Sequence, residues 1–301
     1  MTVVSVGSVR SCGATTLALG LAATWPAHRQ ALLVEADPAG GTLAAASGWS
    51  AEPSLVTLAA AVRRTEAVEL ALAHTHTLPN GARALAAPGA PEQSRRALTM
   101  LEGLLAQLGE LDGDVVLDCG RLDISQPAQE PQANAPSSHR VPRSSTDRFL
   151  VAEVALLACR PQLADLHAVG CFLEHPLVAE ARRSARLRLI LVGDGPYPDA
   201  EIAAAFDVEV AGHLPFDAPS AAALPRMPAD ARELRHAPLV RALRSLAFSL
   251  APSADTSSSP VPSRTAEVLI DLRGLRRFRQ AAHAGPSNGN ASGNHANEED
   301  R

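Results

Sequence analysis

The chain has 301 residues, of which 46% are hydrophobic and 20% charged, with a net charge of −5. That is enough apolar chain for one large α/β domain with tails, and it lacks the positive excess needed to bind a polyanion over a whole surface, so nonspecific nucleic-acid binding is not expected. All 27 basic residues are arginine; a high-GC genome accounts for the bias, and no lysine is left anywhere to meet a phosphate.

In chain order, Val3, Val4 and Val6 predict a short strand. It runs through Ser8-Val9-Arg10-Ser11-Cys12-Gly13-Ala14-Thr15-Thr16 into an alanine- and leucine-rich helix from Thr15 to Trp25, which Pro26 ends. A small-residue turn between strand and helix points backbone N–H groups and the helix N-terminus at one spot, which makes an anion site. Residues 31–36 predict a buried strand closed by Glu35-Ala36-Asp37-Pro38, followed by a Gly40-Gly41 loop and a short helix over 42–46. Leu58 and Val62, then Val68, Leu70 and Leu72, predict two helices broken near Thr65. His74-Thr75-His76 has a metal-compatible spacing but no acidic or cysteine neighbour in sequence, and reads as a polar loop. A strand over 83–87 precedes an amphipathic helix over 92–108 with Leu98, Leu101, Leu105 and Leu108 on one side. Residues 114–120 form an apolar strand carrying Asp118. The three strand ends that hold the 8–16 turn, Asp37 and Asp118 would gather at the carboxyl edge of one parallel sheet, where open α/β sheets bind ligands.

Residues 123–147 are rich in Pro, Gln, Ser and Asn and poor in the apolar side chains needed to offset ordering entropy; they read as a disordered insertion, either a switch-like loop or an expendable one. The sheet pattern resumes with a strand over 154–158, the turn Arg160-Pro161, a helix over 162–173 and a strand over 187–192. A helix over 199–206 follows, with Asp199 as first-turn acid or cap, then a strand over 208–214 and a closing helix over 238–250. Tyr197 reads as a packing or capping residue. Beyond Ala251 the tail is Ser- and Pro-rich. Within it, 265–283 has helical apolar spacing, and 264–283 holds five arginines against Glu267 and Asp271, a net +3. Gly274 and Arg279 interrupt that stripe, so anionic lipid, a partner protein and the chain's own domain are all eligible targets. The four cysteines, Cys12, Cys119, Cys159 and Cys171, lack metal-ligand spacing; Cys12 and Cys119 would be neighbours, as a redox pair or as buried small residues. No apolar run approaches the roughly 20 residues of a membrane-crossing helix and no signal-like segment opens the chain. A reduced cytoplasm is the expected compartment.

Taken together and in this order, these pieces resemble the MinD/ParA family of P-loop ATPases, including actinobacterial MinD-like proteins, over residues 2 to 250 or so. The family's deviant Walker A reads G-K-G-G-x-G-K-T-T, and Ser8 to Thr16 occupy its nine positions. Gly13, Thr15 and Thr16 match. Ser8 stands for the first glycine, Val9 for the signature lysine, Arg10 and Ser11 for the paired glycines, and Ala14 for the phosphate-cradling lysine. Asp118 falls at the Walker B aspartate, and Gly212-His213-Leu214-Pro215 is similar to the late strand-then-proline loop. The resemblance implies a three-layer, doubly wound, mostly parallel α/β sheet of the P-loop NTPase type over 1–250, with a low-complexity tail over 251–301.

It also implies ATP and Mg²⁺ as cofactors. Arg10, Ser11, Cys12, Gly13, Ala14, Thr15 and Thr16 would surround the phosphates, Thr15 and Asp118 the metal, and Pro215 and Asp217 the base, with Asp37 orienting water or the switch. Gly193 stands where relatives commonly carry a base-recognising asparagine. Losing one charge-assisted hydrogen bond costs about 1.5–3 kcal/mol, roughly ten- to a hundredfold in affinity, and losing a preorganised cation on the order of 10²–10³ in turnover. Weak ATP binding with slow or no hydrolysis is the expectation, with Arg10 either folded onto the phosphates or paired with a neighbouring acid. The implied duty is that of a positioning or assembly factor, in chromosome partitioning, septum placement, or the siting of a pilus or secretion machine. It would act as a homodimer with a partner protein, in the cytoplasm or peripherally at the inner face of the membrane through 265–283. The competing reading is a scaffold that has lost nucleotide and works through partner binding alone; a metabolic enzyme on the same fold would need substrate-binding residues that the sequence does not display.

Overall fold

The computed structural model describes residues 2–62, 69–123, 144–226 and 231–251. The readings placed on most of the insertion, on the break near Thr65 and on 265–283 lie outside these residues. Eight strands form one sheet: β1 (Val3–Ser8), β2 (Ala31–Glu35), β3 (His76–Thr77), β4 (Arg83–Leu85), β5 (Asp114–Arg121), β6 (Val154–Cys159), β7 (Leu187–Val192) and β8 (Val210–Leu214). Their order is β3-β4-β2-β5-β1-β6-β7-β8, all parallel except the β3–β4 edge pair. Helices cover both faces, which is why the central strands are apolar on both sides. The expected α/β, doubly wound architecture is the one present.

Strand alternation decides what each face receives. On β5, Val115, Leu117 and Cys119 join the core beneath the helices 55–62, 91–100, 145–151 and 163–173. Val116 points the other way, to the core formed with the helices Ala14–Thr24 and Pro238–Leu250. Asp118 shares the parity of Val116 and faces the Ala14–Thr24 helix. The carboxyl ends of β2, β5 and β1 are brought side by side by the register Glu35 to Asp118 and Val6 to Asp118.

Several boundaries differ from expectation for identifiable reasons. The helix expected over 92–108 is Pro91–Met100, then Glu102–Ala106, then a 3-10 turn over Leu108–Glu110. Leu101 leaves helical geometry (φ −98°, ψ 1°), and the bend lets Leu101, Leu104, Leu105, Leu108 and Leu111 all enter one core. The β4 ladder stops at Leu85 because the Ala86 carbonyl accepts the Leu55 N–H and the Ala87 N–H goes to Glu35. His76 lies on β3 and not in a loop; it stacks on Trp49 with ring centroids 4.6 Å apart, and its Nε2 meets the Pro53 carbonyl at 2.9 Å. The Ser145–Val151 helix begins inside the expected insertion with a Ser144/Asp147 capping box, a start signal of the ordinary kind.

At the amino edge of the sheet, Asp114 is fully buried and accepts from the Thr2 N–H (2.9 Å), Trp25 Nε1 (2.8 Å) and Arg29 Nη2 (2.7 Å). Burial opposes its ionisation, but the Arg29 and Trp25 hydrogen bonds outweigh burial and hold its carboxyl below the usual range. Removing one member of such a cluster strands the others, so Asp114→Ala is expected to cost on the order of 3 kcal/mol of stability, read as a lower urea midpoint with unchanged slope.

Candidate functional site

β1 ends at Ser8, whose carbonyl accepts the Leu122 N–H at 2.9 Å. The chain then bends through residues 9–13, and the helix starts at Ala14. Gly13 has φ +88°, while the nearest atom to a Cβ built there is 3.9 Å away. Backbone conformation alone therefore selects glycine. The first helical bond runs from the Leu17 N–H to the Gly13 carbonyl, so the N–H groups of Ala14, Thr15 and Thr16 find no backbone acceptor among the described residues. This is the unsatisfied first turn that favours an anion.

Asp118 is completely buried. Its Oδ1 accepts the Gly120 N–H at 3.0 Å, and its Oδ2 has no partner among the described residues. The Thr15 hydroxyl lies against the carboxyl closely enough to favour its charged form without making a well-formed bond to Oδ2. Burial, with repulsion from Glu35 and Asp37, pushes Asp118 up to about 7 against the help of Thr15 and Gly120. An orphaned, buried carboxylate oxygen beside a hydroxyl is a set of hard oxygen donors, and it fits a magnesium ion. Asp37 follows β2, its Oδ1 accepting the Ala39 N–H at 2.7 Å. Its carboxyl packs over Gly120, where a Cβ would lie 1.9 Å from Oδ2. Burial raises the Asp37 pKa, opposed by the Ala39 and Arg121 N–H groups and by Arg148.

Glu35 holds this arrangement in register. Its buried carboxylate accepts the N–H groups of Thr42 (2.6 Å), Leu43 (3.0 Å) and Ala87 (2.9 Å), which fixes the loop that carries Asp37. Desolvation still raises its pKa.

Arg160 borders the turn beside Cys12; Arg10 and Arg148 are placed otherwise. Arg10 is 57% exposed, with Nε 3.9 Å from Asp165 Oδ1, the outward-paired of its two expected conformations. Arg148, on the Ser145–Val151 helix, is buried with Nε and Nη1 unpartnered among the described residues, on the Cys119 side of the sheet and near enough to Asp37 to favour its charge. Sequence reading passed over Arg148 because it follows a low-complexity run. Cys12 and Cys119 are both buried free thiols, and Cys12 interacts with Cys159 at the end of β6, whose thiol burial and Cys12 push up to about 12. All four cysteines are free thiols, with Cys171 exposed on the 163–173 helix.

Beside the turn lies a cavity of about 150 Å³ whose walls include Cys12, Gly13, Thr16, Arg160, Phe216 and Asp217. Pro215 also lines it. Asp217 serves as N-cap of the Ala218–Ala223 helix, accepting the Ser220 N–H at 3.1 Å. Asp199 occupies the first turn of its helix behind the N-cap Pro198, and its carboxylate meets His213 Nδ1 at 3.1 Å. The structure thus brings Gly13 to Thr16, Asp118 and Asp37 to one sheet edge, with Pro215 and Asp217 across the cavity, and leaves Arg10 turned aside. Phe216, missed in the sequence between those two, is on the same wall. A larger open groove of about 630 Å³, between Pro219 and Ala237, has no residue of the 8–16 turn on its walls, so size alone does not mark the site.

No family profile and no curated protein matches the sequence. Solved structures do. A ParA family ATPase from Chlorobium tepidum matches with a TM-score of 0.61 at 14% identity, covering 82% of this chain and 98% of that one. The septum site-determining protein MinD from Pyrococcus horikoshii, complexed with Mg-ADP, matches with a TM-score of 0.58 at 20% identity over 82% and 95%. The ATP complex of a single-substitution variant of McdA from Cyanothece matches with a TM-score of 0.53 at 14% identity over 84% and 98%. The fold is therefore that of the ParA/MinD P-loop ATPases. Among the described residues no helix is long and apolar enough to cross a membrane.

The raised pKa of Asp118 gives a signed prediction. The folded state binds a proton that the unfolded state has released above its ordinary value near 4, so this group's contribution to stability declines as pH rises from about 4 to about 7 and then levels off. Asp118→Asn removes that decline. Its denaturation midpoint relative to wild type should climb between about pH 4.5 and 8, by the equivalent of a few kcal/mol at most.

Proposed function

We propose that the chain is a ParA/MinD-like nucleotide-binding protein with an impaired Walker A loop, which binds Mg-ATP weakly, hydrolyses it slowly or not at all, and acts as a positioning or assembly factor. The observation that carries the reading is the meeting of Thr15 with the orphaned, buried Asp118 carboxyl under a helix turn whose N–H groups have no backbone acceptor among the described residues. When bound, Mg-ATP supplies a phosphoanhydride and a divalent charge. The N–H groups of Ala14, Thr15 and Thr16 would donate to phosphate oxygens, Thr15 and Asp118 would hold the metal, and Asp37 would orient a water. Pro215 and Asp217 would flank the base. Ser11 and Cys12 shape the turn. With Val9 and Ala14 in place of the two lysines, no ammonium meets the charge that develops during hydrolysis.

The pairing of Arg10 with Asp165 supports a second reading, a scaffold that no longer binds nucleotide. Titration of the full chain separates the two. Mg-ATP is expected to bind in the micromolar-to-millimolar range, to lose affinity about tenfold or more in Thr15→Ala, to be released by EDTA, and to turn over near the uncatalysed rate. Arg10→Ala should leave affinity unchanged. Absence of any thermal shift or heat at millimolar Mg-ATP decides for the scaffold.

The duty we assign is placement of a partner protein in partitioning, division, or pilus or secretion assembly, by a homodimer in the cytoplasm with peripheral membrane contact through 265–283. The positive sequence charge of that segment supports the last point. Full-length chain should pellet with anionic vesicles at low salt and be freed at high salt; no pelleting at low salt removes the membrane contact.

A further inference from the structure

Phe216 is the most exposed large hydrophobic side chain among the described residues, at 71%, yet it lies on the wall of the 150 Å³ cavity beside the turn. An aromatic ring on the wall of an apolar hollow offers a face on which a planar group can stack. The loop bearing Phe216 closes onto the end of β7, where Gly193 has φ +74° and a Cβ would lie 3.2 Å from the Phe216 Cβ. Any other residue at 193 would be strained and would press on Phe216. The cavity is about half the low end of whole-ligand pockets, which hold roughly 300–1,000 Å³, so it suits one planar ring system with the rest of a ligand running along the turn.

The polar side chains on its walls are few. They are the Cys12 thiol, the Thr16 hydroxyl, the Arg160 guanidinium and the Asp217 carboxylate, and the last already accepts the Ser220 N–H. The neighbouring Gly193 carbonyl is already engaged by His213 Nε2 at 2.9 Å. Among the described residues, no amide side chain lines the cavity. A site rejects a wrong base strongly only where it pairs donors and acceptors with the base edge, and apolar contact discriminates weakly.

Resting on the nucleotide-binding reading above, we infer that the nucleobase is held by stacking on Phe216, with the Arg160 cation at the cavity wall, and that the site accepts purine and pyrimidine nucleotides with similar affinity. Every base presents a π-face, and stacking on an aromatic side chain is tolerant of base identity.

The test is equilibrium binding of the full chain to Mg-ATP, Mg-GTP, Mg-CTP and Mg-tripolyphosphate, in wild type, Phe216→Ala and Phe216→Trp. The three nucleotides should bind within about threefold of one another. Phe216→Ala should weaken all three by roughly tenfold or more while leaving tripolyphosphate unchanged, and Phe216→Trp should restore them. A roughly tenfold preference for one base, unaltered nucleotide affinity in Phe216→Ala, or an equal loss for tripolyphosphate overturns the inference and leaves the nucleotide reading intact. Absence of binding by all four ligands overturns both.

Discussion

The site depends on one buried carboxylate that serves the backbone and not a ligand. Glu35 gathers three backbone N–H groups from two separate stretches, Thr42 and Leu43 on one side and Ala87 on the other. A carboxylate so placed is costly to desolvate and is stabilised only by the donors it collects, so the loops must come to it. Gly41 follows from this: a Cβ there would lie 2.2 Å from Glu35 Oε2. The loop is thereby drawn tight across the end of β2, Asp37 comes to rest over Gly120, and Ala87 is taken out of the β4 ladder. Three sequence features that look independent, the double glycine, the acidic pair and the short β4 strand, answer to one group.

The charge arrangement around that edge is unusual for a phosphate site. Burial raises the pKa of all three acids, Glu35, Asp37 and Asp118, and repulsion adds to it where Asp37 acts on Glu35 and where both act on Asp118. The loop contributes no ammonium in return, and Arg10 looks outward. The buried cation near these acids, Arg148, approaches from beneath the sheet. On the proposed nucleotide-binding reading, a divalent metal held by Thr15 and Asp118 would relieve that repulsion and would matter more than in a loop furnished with lysine.

Much of this was legible from residues. Val3 to Ser8, Ala31 to Glu35 and Asp114 to Arg121 announce themselves as buried parallel strands by their apolar runs, and the acids and glycines at their ends point to the carboxyl edge. Parity along β5 then puts Asp118 toward the Ala14–Thr24 helix. What could not be read was long-range. The direction of Arg10 depends on Asp165, far along the chain; the kink at Leu101 depends on five leucines competing for one core; and the approach of Cys12 to Cys159 depends on β1 lying beside β6. Arg148 and Phe216 are lone residues in ordinary surroundings, and only packing reveals them.

The cysteines have a practical corollary. Cys12, Cys119 and Cys159 are interior, and burial raises each thiol pKa, so the thiolate that alkylating reagents need is scarce at all three. Cys171 sits on the outer surface of its helix. Maleimide coupling should accordingly mark the folded native chain at a single address, on the side of the sheet opposite the Ala14–Thr24 helix, and a dye attached there could report on assembly without any engineered residue.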